Sequence, residues 1–330
     1  MSRRLSIVRT MIIFVFVSAA SGCSSALNPT LVPHSRAAGI RENPQSLGHW
    51  STRAPMPTPR EALAAGGFNH IIYAVGGIGP CGYACNTVEA YDTATDTWTT
   101  KASMPTGRDS LAVRFVNNIL YAVGGENEAT QGLNTVEAYD PATDTWTTKA
   151  PLPTARLAHA AGVVNGILYV VGGLDGGYNI LNSVVAYDPA TDTWTTKAPM
   201  PTPRFDLAAG VVDGILYAVG GWNYGALTTV EAYDPATDTW TTKAPLPEPR
   251  QFFAAGVVNN RLYAVGGSAN SSWTRKTLYA YDPATNAWTT KALMPRARGG
   301  QAVNVVDGVL YAIGGGNGSH LLHEVDAFTP

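Results

Sequence analysis

One unit of sequence returns six times in this chain, and no other feature limits the fold as strongly. Glycine pairs mark it at Gly76-Gly77, Gly124-Gly125, Gly172-Gly173, Gly220-Gly221, Gly266-Gly267 and Gly314-Gly315, in steps of 48, 48, 48, 46 and 48 residues. The segment 136–153 recurs unchanged as 230–247. A fixed period of this length signals a supersecondary unit that is copied and stacked, because one such unit is too small to bury its own apolar face.

Inside a copy the pattern is that of strands. In the fourth copy, the small residues 208–212 are followed by Asp213-Gly214, a two-residue hairpin turn in which both positions tolerate positive φ. The apolar stretch 215–219 stops at Gly220-Gly221, and a variable loop leads to a third strand at 229–233. Asp234-Pro235 turns the chain, and the fourth strand carries Trp240 and ends at Pro245 and Pro247. No segment shows capped helical periodicity. Each copy is read as a four-stranded antiparallel sheet.

Two observations predict a ring. The first strand of the copies is built mainly of Ala, Gly and Val, as strands crowding an axis require, whereas the fourth strand holds a Trp. The chain also begins and ends out of phase. Residues 49–55 form a Trp strand with no partners before it, and the last copy stops without one. Together the two fragments complete one unit and remove open sheet edges. The fold class is therefore all-β, a six-bladed β-propeller with four antiparallel strands per blade, the last blade closed by the N-terminal strand.

The recurring apolar strand, Gly-Gly, Tyr-Asp and Trp, with Pro-Arg or a similar pair opening the next unit, resembles the kelch repeat over all six copies. The resemblance implies a kelch propeller, a fold that hosts both binders and enzymes.

Charge narrows the partners. The chain has 22 Lys and Arg against 24 Asp and Glu, a net charge of −2, and no basic cluster in the repeats, so no nucleic-acid partner is expected. Arg3, Arg4 and Arg9 precede an apolar run at 11–17 and small residues at 18–22. This is the pattern of an export signal, too short to span a bilayer comfortably. Ala20-Ser21-Gly22-Cys23 resembles a bacterial lipobox, which implies lipidation of Cys23, with Ser24 suiting the outer membrane on either its periplasmic or surface side. Ordinary cleavage nearby, with Cys23 a bystander, is the alternative. The expected organisation is a lipoprotein signal peptide at 1–23, a flexible tether at 24–48 and a six-bladed kelch propeller at 49–330, held at the cell envelope by the lipid alone. Cys81 and Cys85 lie in one loop and pair as a disulfide in an oxidising compartment. A metal pair there lacks a neighbouring His or third Cys.

Because the units are copies, the chain is its own control. Residues present in every copy are assigned to packing: Trp50, Trp98, Trp146, Trp194, Trp240 and Trp288, the strand tyrosines, and Arg60, Arg108, Arg156, Arg204, Arg250 and Arg298. The repeated Ala-Thr-Asp-Thr-Trp is read as a structural hairpin. Residues that differ between copies collect after each Arg and after each Gly-Gly, positions that the kelch resemblance implies meet at one mouth of the channel. That mouth is expected to hold Glu61, Asp109, Phe205, Asp206 and Gln251 with Glu126, Asp175, Tyr178, Trp222, Tyr224, Trp273 and His320. Aromatics beside Asn, Asp and Gln suit stacking on a sugar or gripping a peptide. Surface acids are solvated by default, so no catalytic residue, metal or cofactor is assigned.

Kelch copper radical oxidases need two His, two Tyr and a Cys joined to Tyr, a set this chain does not supply. Periplasmic sialic-acid epimerases are six-bladed kelch propellers with long insertions. Loops of near-constant length here are expected to leave little room to enclose a sugar. The reading is a noncatalytic module binding a protein, peptide or glycan at one mouth. A carbohydrate-active enzyme of the epimerase-like type is the alternative.

Overall fold

The computed structural model describes residues 47–270 and 274–330, so Cys23, the signal segment and Trp273 lie outside the described residues. Among the described residues, twenty-four strands run from β1 (His49–Arg53) to β24 (Val325–Thr329) and form six four-stranded sheets. The first blade is typical: β2 (Ala64–Phe68), β3 (Ile71–Val75), β4 (Val88–Asp92) and β5 (Thr97–Thr100) pair antiparallel in chain order. The sixth sheet is composite, because β1 pairs with β24 in the register His49 to Thr329 through Arg53 to Val325. The out-of-phase termini thus close the ring. Hairpin turns of the inner strands sit at positive φ, as at Asp213 and Gly214. The first blade uses Asn69-His70 there, also at positive φ, a pair that reads poorly as a turn in the sequence.

Three sets of bonds cross between blades, and each explains a repeated residue. On the outside, the indole Nε1 of Trp98, Trp146, Trp194, Trp240 and Trp288 donates to an alanine carbonyl of the preceding blade at 2.9–3.0 Å. The Asp that precedes these Trp residues by two, replaced by Asn286 before Trp288, accepts from the strand Tyr of its own blade and from the same alanine's amide. Asp144, for example, accepts from Tyr139 at 2.6 Å and from Ala102 at 2.9 Å. The repeated Asp-Thr-Trp is therefore a blade-to-blade clasp as well as a hairpin. At the seam Phe328 has no hydroxyl, and the Leu47 carbonyl accepts the Ala292 amide in place of an Asp.

Further in, the second glycine of each pair donates to the carbonyl of the next blade's conserved Arg, as Gly77 does to Arg108 at 3.0 Å. A Cβ on Gly76 would lie 2.4 Å from that same carbonyl oxygen, so the pair must be glycine. The innermost strands need small residues for the same reason: a Cβ on Gly210 would meet a Leu262 methyl at 2.3 Å.

The six arginines are fully buried. Arg60, Arg108 and Arg204 pair with Glu89, Glu137 and Glu231 of their own blades at 2.7, 2.9 and 3.0 Å. Arg298 pairs with Asp326, and Arg250 with Glu248 while lying 4.8 Å over the Tyr279 ring. Arg156 differs. Val185 stands where four of the other five copies carry a carboxylate and the fifth blade carries Tyr279, and among the described residues only neutral groups, the Gly172 and Ser183 carbonyls and the Ser183 hydroxyl, accept from the Arg156 guanidinium. Burial lowers its pKa to about 10, as it does for Arg108 and Arg204.

Candidate functional site

The residue after each Arg pairs as a two-residue β-bridge with the residue after the same blade's Gly-Gly: Glu61 with Ile78, Asp109 with Glu126, Leu157 with Leu174, Phe205 with Trp222, Gln251 with Ser268 and Gly299 with Gly316. The two classes of variable position therefore meet in every blade. The next residue closes a hydrogen-bonded ring about the axis. The amides of Ala62, Ser110, Ala158, Asp206, Phe252 and Gly300 each donate to the carbonyl of the preceding member, at 2.8–3.1 Å. All six have φ between 51° and 60°. The left-handed conformation is costly for the five non-glycine members, and the closed ring holds them in it.

A cavity of about 820 Å³ opens beside this ring. Its wall runs from the third blade to the first by way of the fourth, fifth and sixth: Leu174, Tyr178 and Ile180, then Phe205, Asp206, Trp222 and Tyr224, then Gln251, Phe252, Ser268 and Thr274, and finally Gly299, Gly316 and Glu61. The expectation that constant loops leave little room is corrected. Two features make the space. The fourth blade's loop is the most shortened, and the sixth blade has glycine at both bridge positions, where the other copies carry side chains. The Glu61 carboxylate occupies part of that notch, since a Cβ on Gly316 would lie 2.1 Å from its Oε2. The Phe252 ring lies over Gly300 in the same way, 2.6 Å from where a Cβ would be.

Seven of the expected mouth residues thus share one wall: Glu61, Tyr178, Phe205, Asp206, Trp222, Tyr224 and Gln251. Four do not line it. Asp109 and Glu126 form the second blade's bridge, and Asp109 accepts from the Ser110 hydroxyl at 2.7 Å. Asp175 holds its own loop, accepting from the amides of Gly177 and Asn179 at 2.8 and 2.9 Å. Asn127 and Asn317 play the same part in their blades, so this position repeats a structural role under different residue names. His320 is exposed on the sixth loop. Sequence comparison missed the glycines at 299 and 316; the available signal was a side chain absent from one copy. Within the first loop, Cys81 and Cys85 are joined as a disulfide with Cα atoms 5.5 Å apart.

The default of solvated acids is also corrected. Asp109 and Glu126 are buried, and Glu61 and Asp206 are half-buried. Desolvation raises the Glu61 pKa, and desolvation reinforced by the Glu126 charge pushes Asp206 up to about 7. Asp206 keeps some solvent contact through the mouth, yet protein surrounds its carboxylate on most sides. None of the described lining residues is Lys, Arg or His. Among the described residues no three His, Cys, Asp or Glu side chains converge closely enough to hold a metal ion.

The KLHDC2/KLHL20/DRC7 Kelch-repeats domain family matches residues 68–245, and the Kelch motif matches 249–295 and 297–330. No curated protein sequence matches the chain. Among solved structures, that of YjhT is similar over 84% of this chain and 95% of its own, with a TM-score of 0.71 and 20% identity. Likeness at that identity concerns the fold, and 918 solved chains share it, so the fold by itself does not select a ligand.

Proposed function

The chain belongs to the kelch-repeat family, and from that premise we propose that it is a noncatalytic binding module that takes a protein, peptide or glycan at the ringed mouth of its channel. One observation carries the reading: the cavity is walled by the residues that differ between otherwise near-identical copies. Backbone hydrogen bonds hold the ring, and the unshared side chains of Phe205, Trp222, Tyr224, Gln251 and Phe252 line the space beside it. Tyr224 is 94% exposed at the rim. Exposed aromatics over a pocket with convergent polar groups supply contact area at small entropic cost. We further propose that the protein is exported and lipid-anchored through Cys23, with residues 24–48 as the tether, which would hold the propeller roughly 25–30 Å from the outer membrane.

The epimerase-like alternative requires recognition of a sugar carboxylate, and the described wall offers no cation for it. One observation favours catalysis on a neutral sugar instead. Desolvation and the Glu126 charge push the Asp206 pKa up to about 7 inside the cavity, where a carboxyl group can donate or accept a proton.

Peptide and glycan arrays probed with the full chain separate these readings. Trp222→Ala and Tyr224→Ala are expected to weaken capture about tenfold or more at unchanged melting temperature. Capture that is indifferent to both changes refutes the mouth assignment. Turnover of a neutral glycoside that is lost in Asp206→Asn refutes the noncatalytic reading.

A further inference from the structure

We propose that the mouth selects a positively charged group, and that the group is a lysine or arginine side chain presented by a polypeptide. The inference rests on the mouth reading above and names its ligand chemistry.

Charge gives the sign. Glu61 and Asp206 lie in the wall, and Asp109 and Glu126 are buried behind it in the neighbouring bridge. No described lining residue carries a positive charge. Both wall carboxylates are held above their ordinary pKa, chiefly by desolvation, so their ionised forms are less favoured there than in water. A cation entering the cavity supplies the missing countercharge, and an anion adds to the repulsion.

The aromatic wall points the same way for an independent reason. Phe205, Trp222 and Phe252 line the cavity, and aromatic rings attract ammonium and guanidinium groups through their quadrupoles while their apolar surface takes an alkyl stem. A third observation concerns polar groups that are not acids. Gln251 and Ser268 line the cavity at 8% and 7% exposure. The Gln251 carboxamide offers both a donor and an acceptor, which match the backbone amide that accompanies a side chain in a peptide. Tyr224 reaches past the cavity into solvent, where the rest of a polypeptide would lie.

The test titrates the full chain, read by tryptophan fluorescence, with acetylated, amidated pentaglycine peptides whose central residue is arginine, lysine, citrulline, norleucine or glutamate, and with free butylamine. The arginine and lysine peptides are expected to saturate, with the citrulline and norleucine peptides about ten- to a hundredfold weaker. Asp206→Asn and Glu61→Gln are each expected to weaken the arginine peptide and leave the norleucine peptide unchanged. Equal binding of arginine and citrulline peptides, or preference for glutamate, overturns the charge selection. If, in that case, the bound peptides are still lost in Trp222→Ala, the mouth reading survives. If neither these peptides nor any array ligand responds to Trp222→Ala, both fail. Butylamine binding as tightly as the arginine peptide keeps the charge selection and overturns the polypeptide source.

Discussion

The indole Nε1 of Trp50 donates to the carbonyl of Ala292, 2.9 Å away and 242 residues later in the chain. This is the outer clasp that every other blade makes with its neighbour, here made by a strand from the opposite end of the protein. The Trp50 ring also lies 5.1 Å from that of Phe328, its partner in the register of β1 and β24. Trp50→Ala is expected to cost about 3–5 kcal/mol by loss of packing, and Trp50→Phe about 1 kcal/mol for the hydrogen bond alone. Urea denaturation measures both, and hydrogen exchange should show β24 losing protection first. A Trp50→Ala protein with wild-type midpoint and exchange would mean that the seam does not hold the ring.

Arg156 is the one recurring arginine with no carboxylate or ring partner among the described residues, because Val185 occupies the glutamate position. Val185→Glu is therefore expected to stabilise the protein by about 1–3 kcal/mol, the range for hydrogen bonds to charged groups. The converse, Glu137→Val, leaves Arg108 stranded and is expected to cost about 3–5 kcal/mol. Melting temperatures that fall in the first variant would show that the third blade has repacked around the neutral pair.

His159 is buried at a position held by Leu63, Leu111 and Leu207 in other copies. Neither ring nitrogen makes a well-formed hydrogen bond, and only the Val123 carbonyl lies near enough to favour a ring proton. Desolvation, with the charges of Arg156, Arg114 and Arg108, lowers its pKa to about 3. The unfolded chain takes up that proton near pH 6.5 and the folded protein does not, so stability present above pH 6.5 is lost as pH falls toward 3. At pH 5 the loss is about 2 kcal/mol. His159→Leu should abolish this component, giving a smaller drop in melting temperature between pH 7 and pH 5; an unchanged drop would assign the acid sensitivity elsewhere.

Asp206 has the opposite sign. Its folded-state pKa is raised to about 7 from 3.8, chiefly by desolvation, with the Glu126 charge adding to it. The folded protein holds the proton more tightly than the unfolded chain, so the contribution is full below pH 3.8 and is lost as pH rises through 7. Asp206→Asn, which removes the titration, should raise the melting temperature more at pH 8 than at pH 5. Equal effects at the two pH values would show that the carboxylate is solvated after all.

Much of the architecture was legible in the sequence because each copy repeats the same physical solution. Gly210 is needed where Leu262 presses in, Gly76 where the Arg108 carbonyl approaches, and Trp146 where the Ala102 carbonyl waits for a donor. Seven of the mouth residues were legible as departures from that repetition. Asp175 was misleading because a structural turn accepts either Asp or Asn, so a role shared between copies looked like a difference. The burial of Asp109 and Glu126 was not legible, since it depends on what neighbouring blades place over them.

By itself the sequence determined the number of blades, their strand order and the seam, because periodic packing is a local and nearest-neighbour matter written in every copy. Only the tertiary structure decided where the mouth is open. A cavity is set by side chains that are missing, at Gly299 and Gly316 and in a shortened loop, and their effect is felt only when the ring brings the sixth blade beside Glu61 of the first. The pKa of Asp206 belongs to the same level, because burial and the charge of Glu126, two blades away, exist only once the circle has closed.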